Sequence, residues 1–355
     1  MTDNYKQEIG AKPDIMSMTR AELKEYIISI GEIGFRAEQI FSFIHKGAMI
    51  DDMTNLSLSL REKLKAETDY RMPKIVMKLV SAIDGTIKYL MELTDGECVE
   101  SVFMRYEHGN TVCVSSQAGC RMGCKFCAST LKGKVRNLTP SEILGQIAVI
   151  TRDTGERVGG VVMMGIGEPL DNYDATVRFL RLVSDEKGLN IGLRHISVST
   201  CGLADRIRML ANEELPITLS ISLHASDNET RDTIMPVNKA YPIEILLDAC
   251  RYYFETTGRR VSFEYTLIAN KNDSQADAAK LASLMKRGMC APCHVNLIML
   301  NEVAETGLSP TAKKNADAFK DKLISLGVNA TIRRRLGRDI DASCGQLRLN
   351  RLKGN

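Results

Sequence analysis

The sequence predicts an α/β fold: a partial or irregular TIM-like (β/α) barrel, preceded by a small helical module and a set of antiparallel strands. Three observations point there. Apolar residues recur at helical spacing across 19–68. From Lys74 the apolar period falls to two, and Asp-Gly pairs punctuate the runs. Beyond Val112, strand-like runs alternate with helical ones nearly to the end of the 355-residue chain. Alternation of that kind marks parallel β/α units. The expected division is an N-terminal helical accessory domain at 1–72, antiparallel lead-in strands at 73–110, a barrel at 111–340 and a C-terminal segment at 341–355.

Each element has a local reason. Residues 1–17 read as a frayed leader. Thr19-Arg20-Ala21-Glu22 has the form of a capping box, after which Leu23, Tyr26, Ile27 and Ile30 share one helix face. A second helix is expected at 36–46, with Ile40, Phe41 and Ile44 inward, and a third at 59–66. Their exposed faces carry Lys and Arg. The module therefore suits either contact with RNA or packing on the main domain, and the sequence does not separate the two. Strands are expected at 75–83, 86–93 and 98–106, with Asp84-Gly85 and Asp95-Gly96 as hairpin turns. The first barrel strand, 112–115, follows. Thr139-Pro140-Ser141-Glu142 opens a helix, with Thr as cap, Pro in the first turn and Glu three residues on. Six more strands are expected at 160–164, 195–199, 217–223, 261–268, 295–300 and 330–333. Helices are expected between them, at 175–183, 205–211, 243–256, 276–286 and 311–326. In barrels of this type the reacting groups gather at the C-terminal ends of the strands.

Composition excludes several classes. No apolar run approaches the roughly 18 residues that a membrane span needs. The opening MTDNYKQEIG carries no hydrophobic signal segment. A cytoplasmic protein is expected, in which ten cysteines are metal ligands, redox thiols or buried small hydrophobes rather than a disulfide scaffold. The net charge of +3 says little about nucleic acid, but its distribution is uneven. Arg333, Arg334, Arg335 and Arg338 cluster, and Arg348, Arg351 and Lys353 follow. That is either a solvated basic face or a phosphate-binding one.

The most informative stretch is Gln117-Ala118-Gly119-Cys120-Arg121-Met122-Gly123-Cys124-Lys125-Phe126-Cys127. One loop with Cys-x3-Cys-x2-Cys spacing can bring three thiolates to one iron–sulfur cluster. Electron-transfer clusters ordinarily take four cysteines. Three leave one iron open, as catalytic metal sites leave a position for substrate. The amino and carboxylate groups of S-adenosylmethionine suit that position, and the spacing resembles the signature of the radical S-adenosylmethionine (radical SAM) enzymes. A zinc knuckle would instead pair two Cys-x2-Cys units or join Cys with His.

Polar groups stand at the ends of the expected strands. Gly165-Ile166-Gly167-Glu168-Pro169 follows the second barrel strand, with glycines for close backbone approach and Glu168 as a carboxylate suited to an ammonium group. Ser199-Thr200-Cys201-Gly202 ends the third, Ser222-Leu223-His224 the fourth, and Asn301 lies past the sixth. Gly167, Glu168, Ser199, Ser222, Leu223, His224 and Asn301 are thus the expected cofactor-binding residues, and Cys120, Cys124 and Cys127 the metal ligands. In a closed barrel the first and last strands are neighbours, so Cys113 and Cys344 can meet across the mouth, with Glu100 on the lead-in strand facing it. Cys290-Ala291-Pro292-Cys293-His294 mimics a haem-attachment motif, which no export signal accompanies.

Cys113-Val114-Ser115-Ser116-Gln117, Met164-Gly165-Ile166-Gly167-Glu168-Pro169-Leu170, Ile221-Ser222-Leu223-His224-Ala225 and Cys344-Gly345-Gln346-Leu347 resemble the RlmN family of dual-specificity RNA methyltransferases, over nearly the whole chain. The related Cfr family shares the cysteines but usually has Ala where this chain has Pro169. One departure is Glu302 after Asn301, where members often have Pro.

The resemblance implies methylation of C2 of an adenine in 23S rRNA and tRNA, with a [4Fe–4S] cluster and two molecules of S-adenosylmethionine per turnover. An adenine C2–H between two ring nitrogens is not a nucleophile, so direct methyl transfer fails. The implied detour has Cys344 take a methyl group in a polar step. A 5′-deoxyadenosyl radical generated at the cluster then activates that methyl for addition to C2. Glu100 resembles the family's proton acceptor. Cys113 then attacks Cys344, and the disulfide formed releases the product. An electron donor such as flavodoxin or ferredoxin, RNA held through its phosphates and flipped at the target base, no membrane and a monomeric state complete the expectation. The competing readings are Cfr-like methylation at C8 and a non-catalytic metal-binding RNA-binding protein.

Overall fold

The computed structural model describes residues 12–355 apart from 71, 290, 302, 303, 343–346, 349, 350 and 352–355. Helix α1 (Arg20–Ser29) starts where the capping box predicts: Thr19 Oγ accepts from Glu22 N, and the Glu22 carboxylate accepts from Thr19 N at 2.7 Å. Helices α2 (Phe35–His45) and α3 (Leu58–Glu67) complete the module. Leu23, Ile27, Ile40, Phe41, Ile44 and Leu60 are buried, and they join one hydrophobic core that runs on into the barrel. Arg178 in the barrel donates to Ser17 O at 2.9 Å, and Ser141 N donates to Ser17 Oγ at 3.0 Å. The module is therefore packed on the main domain.

Strands β1 (Lys74–Val80), β2 (Ile87–Glu92), β3 (Cys98–Tyr106) and β4 (Gly109–Cys113) run antiparallel. The Asp-Gly turns form as expected, with Gly85 and Gly96 at φ of 70° and 86°. A short ribbon, β5 (Gln117–Gly119) with β6 (Lys134–Asn137), then encloses the cysteine loop. The alternating part follows as α4 (Pro140–Thr154), β7 (Val158–Met163), α5 (Tyr173–Val183), β8 (Ile196–Thr200), α6 (Ala204–Ala211), β9 (Thr218–Ser222), α7 (Asn228–Ile234), α8 (Ile243–Thr257), β10 (Val261–Leu267), α9 (Gln275–Leu284), β11 (Cys293–Met299), α10 (Lys313–Ser325) and β12 (Ala330–Ile332).

One ten-stranded sheet has the order β1-β2-β3-β4-β7-β8-β9-β10-β11-β12, and every pairing from β4 to β12 is parallel. All seven expected barrel strands are present. Closure differs from the closed-barrel premise: among the described residues β12 pairs only with β11, while β4 pairs with β3 and β7. The lead-in strands occupy the edge of β4 that ring closure would need. The chain after β12 spans the gap instead. Gly337 N donates to Asp84 at 2.9 Å, and Asp339 accepts from Ser81 Oγ at 2.6 Å and Ala82 N at 2.8 Å. Lys88 Nζ donates to Asp341 O at 2.8 Å.

Candidate active site

The cysteine loop leaves the end of β4 and is pinned from both sides. Cys120 N donates to Gly133 O at 3.1 Å, and Lys125 N to Ile234 O at 2.9 Å. Gly119 has φ of 81°, and a Cβ there would lie 2.0 Å from Gly133 O, so the ribbon closes only on glycine. Cys120, Cys124 and Cys127 line one cavity of about 240 Å³. Its other walls come from the strand ends: Gly167 and Glu168 after β7, Ser199 in β8, Ser222 in β9 and His224 just beyond.

The donor set suits an iron–sulfur cluster. Burial pushes the Cys120 thiol up to about 12 and raises those of Cys124 and Cys127, and the neighbouring thiols add to the shift at Cys120 and Cys124. Such thiols ionise when a metal takes up their charge. Three soft sulfurs on one short loop are the ligand type that selects iron–sulfur chemistry. Among the described residues no group of three or more His, Cys, Asp or Glu is gathered around a single-ion point. A cluster spreads its thiolates over different irons.

Glu168 is almost completely buried, and its two carboxylate oxygens accept from Leu170 N at 3.0 Å and Cys201 N at 2.7 Å. Burial raises its pKa above the ordinary carboxylate range, against those bonds. It thus ties the end of β7 to the end of β8 while facing the cavity. Gly167, at φ of 113°, lets this turn lie against Gln117 and Ser116, each 2.7 Å from where a Cβ would stand. His224, also left-handed at φ of 56°, accepts from Thr266 N through Nδ1 at 2.9 Å. Burial lowers its pKa to about 3, so the ring is neutral with its proton on Nε2. Its ring meets the Phe126 ring edge-on at 4.8 Å, which couples the cysteine loop to the fourth barrel strand. Leu223 is buried in the main core, and its N–H donates to Glu264 O at 3.1 Å.

A second cavity, of about 300 Å³, adjoins the first, sharing Phe126, Cys127, Met164, Thr266, Ile298 and Arg333. Cys113, Asn301 and Ala342 line it, together with Arg334, Arg335 and Arg338, which are exposed. Asn301 Oδ1 accepts from Arg335 at 2.7 Å. The arginine cluster read from the sequence thus surrounds a mouth that leads to the cysteines. Val102 and Met104 of β3 also line this mouth. Glu100 shares their face of β3 one step deeper, fully buried, in an ion pair with Lys88 at 3.0 Å and accepting from Arg348 N at 2.7 Å. Cys344 lies outside the described residues. So does any pairing of it with Cys113.

Sequence reasoning missed two charged residues. Lys88 reads as one polar position in an alternating strand, yet it is wholly buried. Arg231 on α7 is also wholly buried and donates to Leu223 O at 3.0 Å, Cys201 O at 2.8 Å and Ser222 O at 3.2 Å. It holds two strand-end turns from beneath. Only the Asp227 cap, which accepts from Thr230 N at 2.8 Å, could have announced that helix.

An open parallel barrel with a three-cysteine loop at the C-terminal end of its first strand defines a radical SAM enzyme. The Radical SAM superfamily profile matches residues 114–282, and that of the ribosomal RNA large subunit methyltransferase N-terminal domain matches 13–69. A probable dual-specificity RNA methyltransferase RlmN of Clostridium novyi is 50% identical over 96% of this chain and 99% of its own length. Another, of Lachnospira eligens, is 52% identical over 94% and 95%. The crystal structure of a radical SAM methyltransferase from Sphaerobacter thermophilus superposes with a TM-score of 0.89 at 40% identity, covering 94% of this chain and 98% of that one. The chain belongs to the RlmN family.

Proposed function

We propose that this protein methylates C2 of adenosine in 23S rRNA, at the peptidyl transferase centre, and in the anticodon loop of tRNA. The observation that carries the reading is the pair of joined cavities: one walled by the three cysteines, the other by Cys113 and four arginines, of which Arg334, Arg335 and Arg338 are exposed.

Cys120, Cys124 and Cys127 are the residues to hold a [4Fe–4S] cluster, and Gly167, Glu168, Ser199, Ser222, Leu223, His224 and Asn301 those to hold S-adenosylmethionine. Bound there, cluster and cofactor supply the methyl group and the radical chemistry that an electron-poor C2–H demands, two cofactor molecules being used per turnover. The chain's own part is nucleophilic, basic and positional. Cys344 carries the methyl group as a thioether; once a hydrogen atom has passed from that methyl to the cofactor-derived radical, its carbon would bond to C2, and the unpaired electron left on the adduct would return to the cluster. Glu100, buried on the strand whose Val102 and Met104 line the mouth, takes the C2 proton. The Cys113 thiolate then attacks the Cys344 sulfur. The sulfur–carbon bond breaks, its electron pair stays with the carbon, which takes up a proton, and a Cys113–Cys344 disulfide remains for a dithiol to reduce. The arginines of the mouth hold backbone phosphates while the target base leaves its stack. A flavodoxin or ferredoxin feeds electrons to a monomeric cytoplasmic enzyme. No helix among the described residues is long and apolar enough to cross a membrane.

The test is mass spectrometry of adenosines from rRNA and tRNA incubated with reduced, reconstituted enzyme. 2-Methyladenosine in both is the expected product. A methyl at C8 selects the Cfr-like reaction, and unmodified RNA beside a colourless protein selects a binding module.

A further inference from the structure

The cavity beside the three cysteines contains a carboxylate oxygen that no described residue meets. Glu264 stands on β10, in register with Ser222 of β9 on one side and Asn296 of β11 on the other. Its backbone carbonyl accepts from Leu223 N at 3.1 Å and His224 N at 3.2 Å, so it anchors the turn that ends β9. Its side chain is 3% exposed and lines the cavity. Oε1 accepts from Asn296 Nδ2 at 3.1 Å, whereas Oε2 is buried with no hydrogen-bond partner among the described residues. Burial raises the pKa of this carboxyl, and the Arg333 guanidinium offsets part of that rise. Native folds rarely leave a buried oxygen without a donor, and each exception asks for a reason.

We propose that Glu264 is a binding residue for the sugar of the nucleoside cofactor, its Oε2 accepting from the ribose hydroxyls. A carboxylate set against a ribose hydroxyl is how dinucleotide sites read that sugar. A hydroxyl brings the donor that Oε2 lacks. The position agrees with the division of labour around the wall. Glu168, the carboxylate suited to the methionyl ammonium, follows β7, the neighbour of β4 from which the cysteine loop leaves, and Glu264 lies on β10, farther round the same sheet. This inference rests on the cavity being the S-adenosylmethionine site.

The test compares S-adenosylmethionine with its 2′,3′-dideoxy analogue, by equilibrium dialysis against anaerobically reconstituted full-length protein. Glu264→Gln keeps the shape and the bond to Asn296 and replaces the charged acceptor. S-adenosylmethionine is expected to bind this variant about tenfold or more weakly, since hydrogen bonds to charged groups are the strong ones. The analogue is expected to bind variant and wild type alike. An unchanged affinity for S-adenosylmethionine overturns the proposal. So does an equal loss for the analogue, which would make Glu264 part of the wall's shape only. Should the variant not fold, the wild type decides alone: a preference of tenfold or more for the hydroxylated ligand supports the assignment, and equal binding overturns it. If the wild type binds no S-adenosylmethionine, the reading of the cavity itself fails, and the assignment with it.

Discussion

Glu100 and Lys88 form an ion pair with neither side chain exposed, and what surrounds them explains why it persists. Lys88 also donates to Asp341 O, and Glu100 accepts from Arg348 N, so the pair grips the C-terminal segment at two points. Removing one partner of a buried pair leaves the other charge stranded, at a cost of about 3–5 kcal/mol. Lys88→Met is therefore expected to lower unfolding free energy by that order in urea titration, and a loss below about 1 kcal/mol would show the pair to be solvated. His45 gives a second residue-scale expectation. It is buried against Phe41, ring to ring at 4.0 Å, with neither nitrogen hydrogen-bonded among the described residues, and burial lowers its pKa to about 3. The folded state keeps it neutral while the unfolded chain takes up a proton below about 6.5. Stability is then full above that pH and falls as pH drops from 6.5 towards 3, by up to about 1.4 kcal/mol per unit. His45→Phe is expected to flatten the dependence of the urea midpoint between pH 7 and 5, and an unaltered slope contradicts it. At this scale the cysteines, Glu168 and His224 were legible because their chemistry lies in local spacing. Lys88 and Arg231 were not, because the carbonyls that accept from them, Asp341 O for Lys88 and those of Cys201 and the turn after β9 for Arg231, are brought to them only by the fold.

Elements place the site by closing tightly on one another. The β7 turn can lie on the start of the cysteine ribbon only because Gly167 has no side chain and adopts φ of 113°. Gly167→Ala is expected to cost about 1–3 kcal/mol in strain, and to weaken S-adenosylmethionine binding in dialysis more than tenfold. Wild-type affinity in that variant would show that the turn has room to shift. Strong periodicity and caps made the long helices and all seven barrel strands readable. The β5–β6 ribbon and α7 escaped notice for different reasons. Three- and four-residue strands carry no measurable period, and the sequence Asn-Glu-Thr-Arg-Asp-Thr-Ile of α7 looks like a polar loop. Yet both are what hold the cysteine loop, through Gly133 O and Ile234 O.

The whole molecule is an open barrel whose gap is bridged by the chain after β12, with the helical module fused to it through a shared core. Topology of this kind follows from alternation, but the failure to close does not, since it depends on the lead-in strands taking the free edge of β4. The bridging chain also brings Arg333, Arg334, Arg335 and Arg338 to the mouth. Charge reversal at Arg334 and Arg335 is expected to weaken RNA binding and to reduce the salt slope by roughly one per lost phosphate contact. Unchanged affinity and slope would place the RNA elsewhere. The central claim is that three cysteines hold a cluster with one iron left for S-adenosylmethionine. It is tested most directly by electron paramagnetic resonance of the anaerobically reconstituted, reduced protein, recorded before and after adding the cofactor. The account predicts a [4Fe–4S] signal that changes on addition and is lost in Cys120→Ala, Cys124→Ala and Cys127→Ala. A cluster fully ligated by protein side chains, whose spectrum S-adenosylmethionine leaves untouched, would contradict it.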